Sequence, residues 1–129
     1  MAGRTLDRAA ASLGPLEGRI MRAVWTGKLP EVFVVRDVNA LMPELAYTTV
    51  MTTLRRLATK GLLAASASNG RRAHEYRAAG TPDDFLAAAS AREAADVVDR
   101  YGDAALAAFA ARLDALTPDQ RQRLEDLRR

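Results

Sequence analysis

The segment from Ala46 to Lys60 carries hydroxyl and guanidinium groups at helical spacing. At about 100° per residue, one face collects Thr48, Thr52, Arg55 and Thr59, and the flank of that face holds Thr49 and Arg56. Small hydroxylated side chains can approach base edges closely, bind phosphate and touch thymine methyl groups. Asp and Glu, which would repel phosphate, are absent from the segment. This pattern favours contact with nucleic acid; a solvated helix face with incidental threonines is the alternative.

The other side of the same segment is apolar. It carries Tyr47, Val50, Leu54, Leu57 and Ala58. Threonine forms helices poorly because its branched side chain loses rotational freedom there. The four threonines at 48, 49, 52 and 53 are therefore a local conflict, and such conflicts often mark function. We expect a helix that packs one face in a core and displays the other.

Two helices are predicted before this segment. An apolar stripe from Leu16 to Trp25 has the spacing of one helix face, with Pro15 tolerated in the first turn. Residues 32–35 are β-branched or aromatic and favour a brief strand, and a second short helix is expected at about 35–42.

A β-hairpin is predicted after the segment. Asn69-Gly70 is typical of a tight hairpin turn and separates a strand over 62–68 from a returning alternation that begins near His74. Basic residues follow the turn at Arg71 and Arg72. Three helices and such a hairpin predict a winged helix-turn-helix, in which the third helix enters the major groove and the wing contacts the DNA backbone.

Charge is distributed unevenly along the 129 residues. Residues 1–80 hold 12 Lys and Arg against 6 Asp and Glu, whereas residues 81–129 hold 7 against 10. A basic front part and an acidic back part suggest a polyanionic partner for the front part alone. Chance unevenness on a solvated surface is the alternative.

The composition argues against catalysis, metal binding and membrane insertion. Cysteine is absent, so the one histidine, His74, has no partner for an ordinary transition-metal site. The sequence holds neither a nucleophile elbow nor a glycine-rich phosphate loop. Its apolar runs fall short of the roughly 18 residues that a membrane span needs. We expect a cytoplasmic protein that is not an enzyme and has no cofactor.

Residues 81–129 predict helices that need a partner. Helix starts are indicated at Thr81-Pro82 and at Thr117-Pro118, the latter with Gln120 at the capping-box position. The apolar positions form a narrow, coiled-coil-like stripe. They are Phe85, Val97, Val98, Tyr101, Leu106, Phe109, Leu113, Leu116, Leu124 and Leu127. Such helices bury too little for an independent core, so a second copy is expected; packing on the front domain is the alternative.

Longer stretches resemble the penicillinase-repressor (BlaI/MecI/CopY) family. They are LGPLEGRIMRAVW, VVRDVNALM, LAYTTVMTTLRRLATKGLL and NGRRAHEYRA, together with the tail VVDRYGDAALAAFAARLDALTPDQRQRLEDLRR. The resemblance covers about residues 13–129 and implies a homodimeric repressor that binds inverted repeats in double-stranded operator DNA. The match to the family's recognition helix implies groove contacts by Thr48, Thr49, Met51, Thr52 and Arg55. Backbone contacts are expected from Lys60, Arg71 and Arg72, with Arg56 on the flank.

The resemblance also implies a route of release. In that family a membrane sensor protease pathway leads to cleavage of the repressor, or a metal-responsive tail releases it. The tail of the copper-responsive members is rich in cysteine, which this chain lacks. Cleaved members are cut before a phenylalanine, and the corresponding bond is Ala108–Phe109. Ala108 stands where the family's best-known cut has asparagine.

The predicted fold is mainly α with a small β-hairpin. A flexible leader at residues 1–12 precedes a winged helix-turn-helix domain at 13–80 and a helical dimerisation region at 81–129. An alternative function is a winged-helix module that binds an acidic protein without sequence-specific DNA recognition, since a fold does not settle function.

Overall fold

A computed structural model describes residues 2–67 and 74–128. The described residues form seven helices and one antiparallel pair of strands. In chain order these are α1 (Ala2–Ala11), α2 (Pro15–Trp25), α3 (Val35–Leu41), α4 (Tyr47–Thr59), β1 (Leu63–Ala67), β2 (His74–Ala78), α5 (Pro82–Tyr101), α6 (Asp103–Asp114) and α7 (Pro118–Leu127). The predicted fold class, mainly α with a small β-hairpin, is confirmed.

Two compact units divide the chain, one ending at Ala88 and the other beginning at Ala89. The sequence predicted a boundary between residues 80 and 81, but the first turns of α5 belong to the N-terminal unit. The Phe85 ring lies 6.3 Å from the Trp25 ring. The Trp25 indole N–H in turn donates a 3.0 Å hydrogen bond to the Gly80 carbonyl. These two contacts hold the start of α5 on the N-terminal unit.

The core of the N-terminal unit lies between α2, α3, α4 and the strands. Its largest fully buried side chains are Phe33, Ile20, Met21, Leu54, Leu57, Val38 and Val50. Burying apolar side chains of this size is the main favourable term in folding. The apolar side of α4 is therefore packed against α2, α3 and the strands.

Phe33, which precedes α3, extends the sheet by a single bridge to Tyr76 of β2. Phe33 and Tyr76 exchange backbone hydrogen bonds of 2.9 and 2.8 Å, and their rings stack at 6.1 Å. The strand predicted at 32–35 is reduced to this single bridge, because α3 begins at Val35.

The strands pair directly after α4. Gly61 adopts φ +82°, a left-handed conformation that glycine tolerates, and this ends α4 and turns the chain into β1. Ala65 then pairs with Tyr76, and Ala67 with His74. The turn predicted at Asn69-Gly70 lies outside the described residues.

The expected flexible leader is wrong as a description of residues 2–11. They form α1, in which Ala9 and Ala10 are buried, and Arg22 of α2 donates a 2.7 Å hydrogen bond to Asp7. A Cβ at Gly18 would lie 2.6 Å from the Ala10 carbonyl oxygen. This contact could not be predicted from the sequence, because it depends on the absence of a side chain in a different helix.

The close approach of Gly18 to the Ala10 carbonyl predicts that a side chain at residue 18 destabilises the protein. Alanine normally stabilises a helix relative to glycine by about 0.5–1 kcal/mol. We expect Gly18→Ala to lower the melting temperature instead, since the clash is with backbone and overpacking costs about 1–3 kcal/mol. Thermal unfolding followed by circular dichroism measures the difference.

Gly3→Ala is the matched control. Gly3 also lies in a helix, but a Cβ there meets nothing within 4 Å, so this variant should melt at the same temperature or higher. An equal gain in both variants would show that α1 does not pack on Gly18.

Candidate nucleic-acid interface

The predicted division of α4 into a packed and a displayed face is confirmed. Val50, Leu54 and Leu57 are fully buried. The exposed residues of the opposite side and its flank are Thr48, Thr49, Thr52, Arg55, Arg56 and Thr59, and Met51 at the edge is half-buried. The core thus holds the helix rigidly while its polar side remains open to a ligand.

Three hydroxyl groups on this face are available for an external partner. Within the described part of the chain, Thr48, Thr49 and Thr52 form no side-chain hydrogen bond. Thr59, by contrast, donates to the Arg55 carbonyl at 3.0 Å. The available hydroxyls therefore cluster in the first two turns of α4.

Thr53 does not belong to the displayed face. It is buried, and its hydroxyl donates to the Thr49 carbonyl at 2.7 Å. Threonine in a helix commonly satisfies its hydroxyl in this way. One of the four threonines that suggested a functional conflict is therefore a core residue.

The two arginines give the face its charge. Neither Arg55 nor Arg56 forms an ion pair with a carboxylate among residues 2–67 and 74–128. The charge of Arg55 also reaches the wing strand. Burial raises the pKa of the Tyr76 phenol, and the nearby Arg55 opposes that rise. Arg55 is therefore close enough to β2 for its charge to act on Tyr76.

The first turn of α4 can also attract an anion. Its N-cap residue, Ala46, provides no side-chain hydrogen bond, and the turn holds no acidic residue. Backbone N–H groups at such an end are unpaired and carry partial positive charge. This end of the helix therefore favours a phosphate group.

Tyr47 corrects the sequence prediction. It was placed on the core side, but its side chain is 57% exposed. Tyr47 lies two turns before Leu54 on the same side of the helix, and the core ends before reaching it. Its phenol joins the exposed surface of the first turn. Its position at the very start of the predicted helix was the one available signal, because the end of a helix often projects beyond the core.

The wing strand carries further polar groups. His74 and Arg77 are exposed on β2, and the rings of His74 and Tyr76 lie 6.4 Å apart. Arg71 and Arg72, the predicted backbone contacts, lie outside the described residues. The described polar groups thus comprise the α4 face and the exposed residues of β2.

A comparison with known proteins identifies the family of the chain. A family model described as "Penicillinase repressor" matches residues 13–129. The chain belongs to the penicillinase repressor family. It is thus a DNA-binding transcriptional repressor and not an enzyme, as the sequence predicted.

Two relatives come from Mycobacterium tuberculosis, strains CDC 1551 / Oshkosh and ATCC 25618 / H37Rv, and each is called "Transcriptional regulator BlaI". Each is 34% identical to the repressor over 113 residues, which cover 86% of this chain and 80% of the relative. Helix α1 precedes the residues that the family model matches.

The repressor's Lys60, a predicted backbone contact, already has a partner. Its ammonium group lies 2.8 Å from Oε1 of Glu17, a carboxylate that is only 4% exposed. The sequence could not reveal this pair, since the two residues are 43 positions apart. In the structure, the Lys60 ammonium is therefore paired with a carboxylate of α2.

The C-terminal unit of the repressor displays a second surface, which is apolar. The exposed members of the predicted stripe are Val97, Tyr101, Leu106, Phe109, Leu113 and Leu127, and Val98, Leu116 and Leu124 are half-buried. Among the described residues of this unit, Ala105 alone is fully buried. The unit therefore leaves most of its large apolar side chains in contact with water.

Phe85 does not belong to that surface. It packs on the core of the N-terminal unit beside Trp25. Its spacing matched the stripe, but the first turns of α5 pack within the N-terminal unit, whereas the remainder of α5 belongs to the C-terminal unit. Phe85 is therefore removed from the candidate dimer contacts.

Two further features concern the described chain as a whole. No group of three His, Asp or Glu side chains within residues 2–67 and 74–128 is placed to hold a metal ion. Of the helices that the structure describes, none is both long and apolar enough to cross a membrane.

Proposed function

We propose that the repressor inserts α4 into the major groove of operator DNA. The observation that carries this proposal is the exposed, acid-free face of α4, whose opposite side is held in the core by Val50, Leu54 and Leu57. Hydroxyl and guanidinium groups can read base edges at the depth that a major-groove helix reaches. The proposed contacts are Tyr47, Thr48, Thr49, Met51, Thr52, Arg55 and Arg56.

The wing holds the DNA backbone in this proposal. Arg71 and Arg72 contact phosphates beside the groove that α4 enters, as backbone contacts do in fixing the register of a protein on the duplex. The chain geometry supports this arrangement, because Gly61 turns the chain from the end of α4 directly into β1, and β1 pairs with β2.

A wing contact predicts an effect that does not depend on sequence. We expect Arg71→Ala to weaken binding to all duplexes by a similar factor and to flatten the dependence of log K on log salt by about 0.9, the value for one phosphate contact. Arg92→Ala, which removes an exposed arginine of the C-terminal unit, is the control and should leave the slope unchanged. A loss confined to one sequence would contradict the backbone role.

The repressor acts as a homodimer in this proposal. The stripe of exposed apolar residues on α5 and α6 supports it, because a second copy would remove them from water. A twofold dimer matches an inverted repeat, with half-sites separated by one helical turn of about 10–10.5 base pairs or a multiple of it.

Release by proteolysis at Ala108–Phe109 completes the proposal. The bond lies within α6, where Phe109 is 41% exposed. Cleavage there requires α6 to open locally, and it separates Leu106 from Phe109 within the stripe. The dimer is thereby weakened and the operator released. A membrane sensor protease pathway supplies the signal, and the repressor itself acts in the cytoplasm.

The decisive experiment is a gel-shift titration with the DNA upstream of the chain's own gene. We expect retardation of this duplex at physiological salt, with a scrambled duplex of equal composition bound far more weakly. Equal binding of both duplexes would contradict sequence-specific recognition. It would favour the alternative, a winged-helix module whose basic face meets an acidic protein.

A further inference from the structure

A buried carboxylate connects the first core helix with the end of α4. Glu17 is 4% exposed, and its Oε1 accepts hydrogen bonds from Lys60 at 2.8 Å and from the Gly14 N–H at 3.2 Å. Its Oε2 is also buried and has no hydrogen-bond partner among the described residues. A carboxylate in this position is costly unless its charge is compensated.

The compensation comes from α4. Burial raises the pKa of Glu17, but the hydrogen bonds from Lys60 and Gly14 and the charges of Lys60 and Arg56 outweigh it, so this pKa lies below its ordinary value. Glu17 is therefore an anion at neutral pH. Its charge pairs with Lys60, the C-cap residue of α4, and is also stabilised by the positive charge of Arg56.

Lys60 lies at the junction between α4 and the wing. It is the C-cap residue of α4, and Gly61, the next residue, turns the chain into β1 of the wing. The Glu17–Lys60 pair thus ties the end of α4 to α2, one residue before the chain turns into the wing.

We propose that Glu17 is a positioning residue for DNA recognition, which anchors Lys60 and so sets α4 and the wing at the angle that the operator requires. It also keeps the Lys60 ammonium from pairing with a phosphate. This inference rests on the proposed function, since it assumes that α4 and the wing bind DNA together. It replaces the role of a backbone contact that the sequence suggested for Lys60.

The test uses Glu17→Gln, Lys60→Met and the double variant in anisotropy titrations of the full chain. The probes are a duplex that the unaltered repressor selects from a random library and a scrambled version of it, each over a series of salt concentrations. Glu44→Gln is the matched control, because it removes a carboxylate that pairs with α2 at the surface, 2.6 Å from Arg19, and such pairs contribute little.

We expect Glu17→Gln to lower affinity for the selected duplex roughly tenfold, a usual size for coupled contacts, and to leave affinity for the scrambled duplex equal or higher. Its salt slope should steepen by up to about 0.9, because the Lys60 ammonium is freed for a phosphate. Lys60→Met should lower selected affinity without flattening the slope. The double variant should lose less than the two single losses combined.

A slope flattened by about 0.9 in Lys60→Met would overturn the inference, because Lys60 would then be a phosphate contact. Parallel losses for both duplexes in Glu17→Gln would also overturn it, as they indicate general destabilisation. Circular dichroism reports whether each variant is folded; if Glu17→Gln is not, the slope of Lys60→Met still decides, since Lys60 is half-exposed. Failure of the unaltered repressor to select any duplex would refute the proposed function itself, before a variant is measured.

Discussion

Arg55→Ala is expected to weaken binding to the operator by about 1–3 kcal/mol, the usual cost of a lost base contact, which corresponds to about 5–150-fold in Kd. Arg55 is exposed and forms no ion pair within the described residues. Its removal should also relax the preference for one base pair. Titrations against operators with single base substitutions measure both effects.

Thr52→Ala tests the same face without changing charge. Its hydroxyl has no partner among the described side chains and backbone groups, so we expect a loss of specific affinity with an unchanged salt slope. Thr26→Ala is the control, because that threonine ends α2 and donates its hydroxyl to the Arg22 carbonyl at 2.7 Å. If Arg55→Ala and Thr52→Ala both bind as the unaltered repressor does, α4 does not read the operator.

Leu113→Glu is expected to convert the dimer to a monomer and to lower operator affinity about 10²–10⁴-fold, the range by which linking two binding sites raises avidity. Leu113 is 45% exposed in the single chain, so a charge there costs the protomer's own fold little. Buried between two copies, the same charge is unpaired and costly. Sedimentation velocity and titration of the full inverted repeat measure the two changes.

The control for this variant is Ala111→Glu. Residue 111 lies on the opposite side of α6 from the stripe, and its exposed position accepts a glutamate with good helix propensity. This variant should sediment and bind as the unaltered repressor does. A half-site duplex provides a second check, because Leu113→Glu should bind it with nearly normal affinity. If dimerisation persists in Leu113→Glu, the stripe is not the interface.

Local features were predictable from the sequence. The buried and displayed sides of α4 follow from helical periodicity. Thr117 and Gln120 form the expected capping box, with hydrogen bonds of 2.9 and 3.2 Å. Each of these features depends on residues within a few positions of one another, so spacing along the chain contains the necessary information.

Tertiary structure alone decided the features that depend on distant residues. Tyr47 is exposed because the core ends before the first turn of α4, and Phe85 packs inward because it meets Trp25. The packing of α1 against α2 depends on the absence of a side chain at Gly18. Lys60 is bound by a carboxylate 43 positions away. Periodicity specifies which side of a helix is apolar, but how far the core extends and which charges meet are set only when the elements pack together.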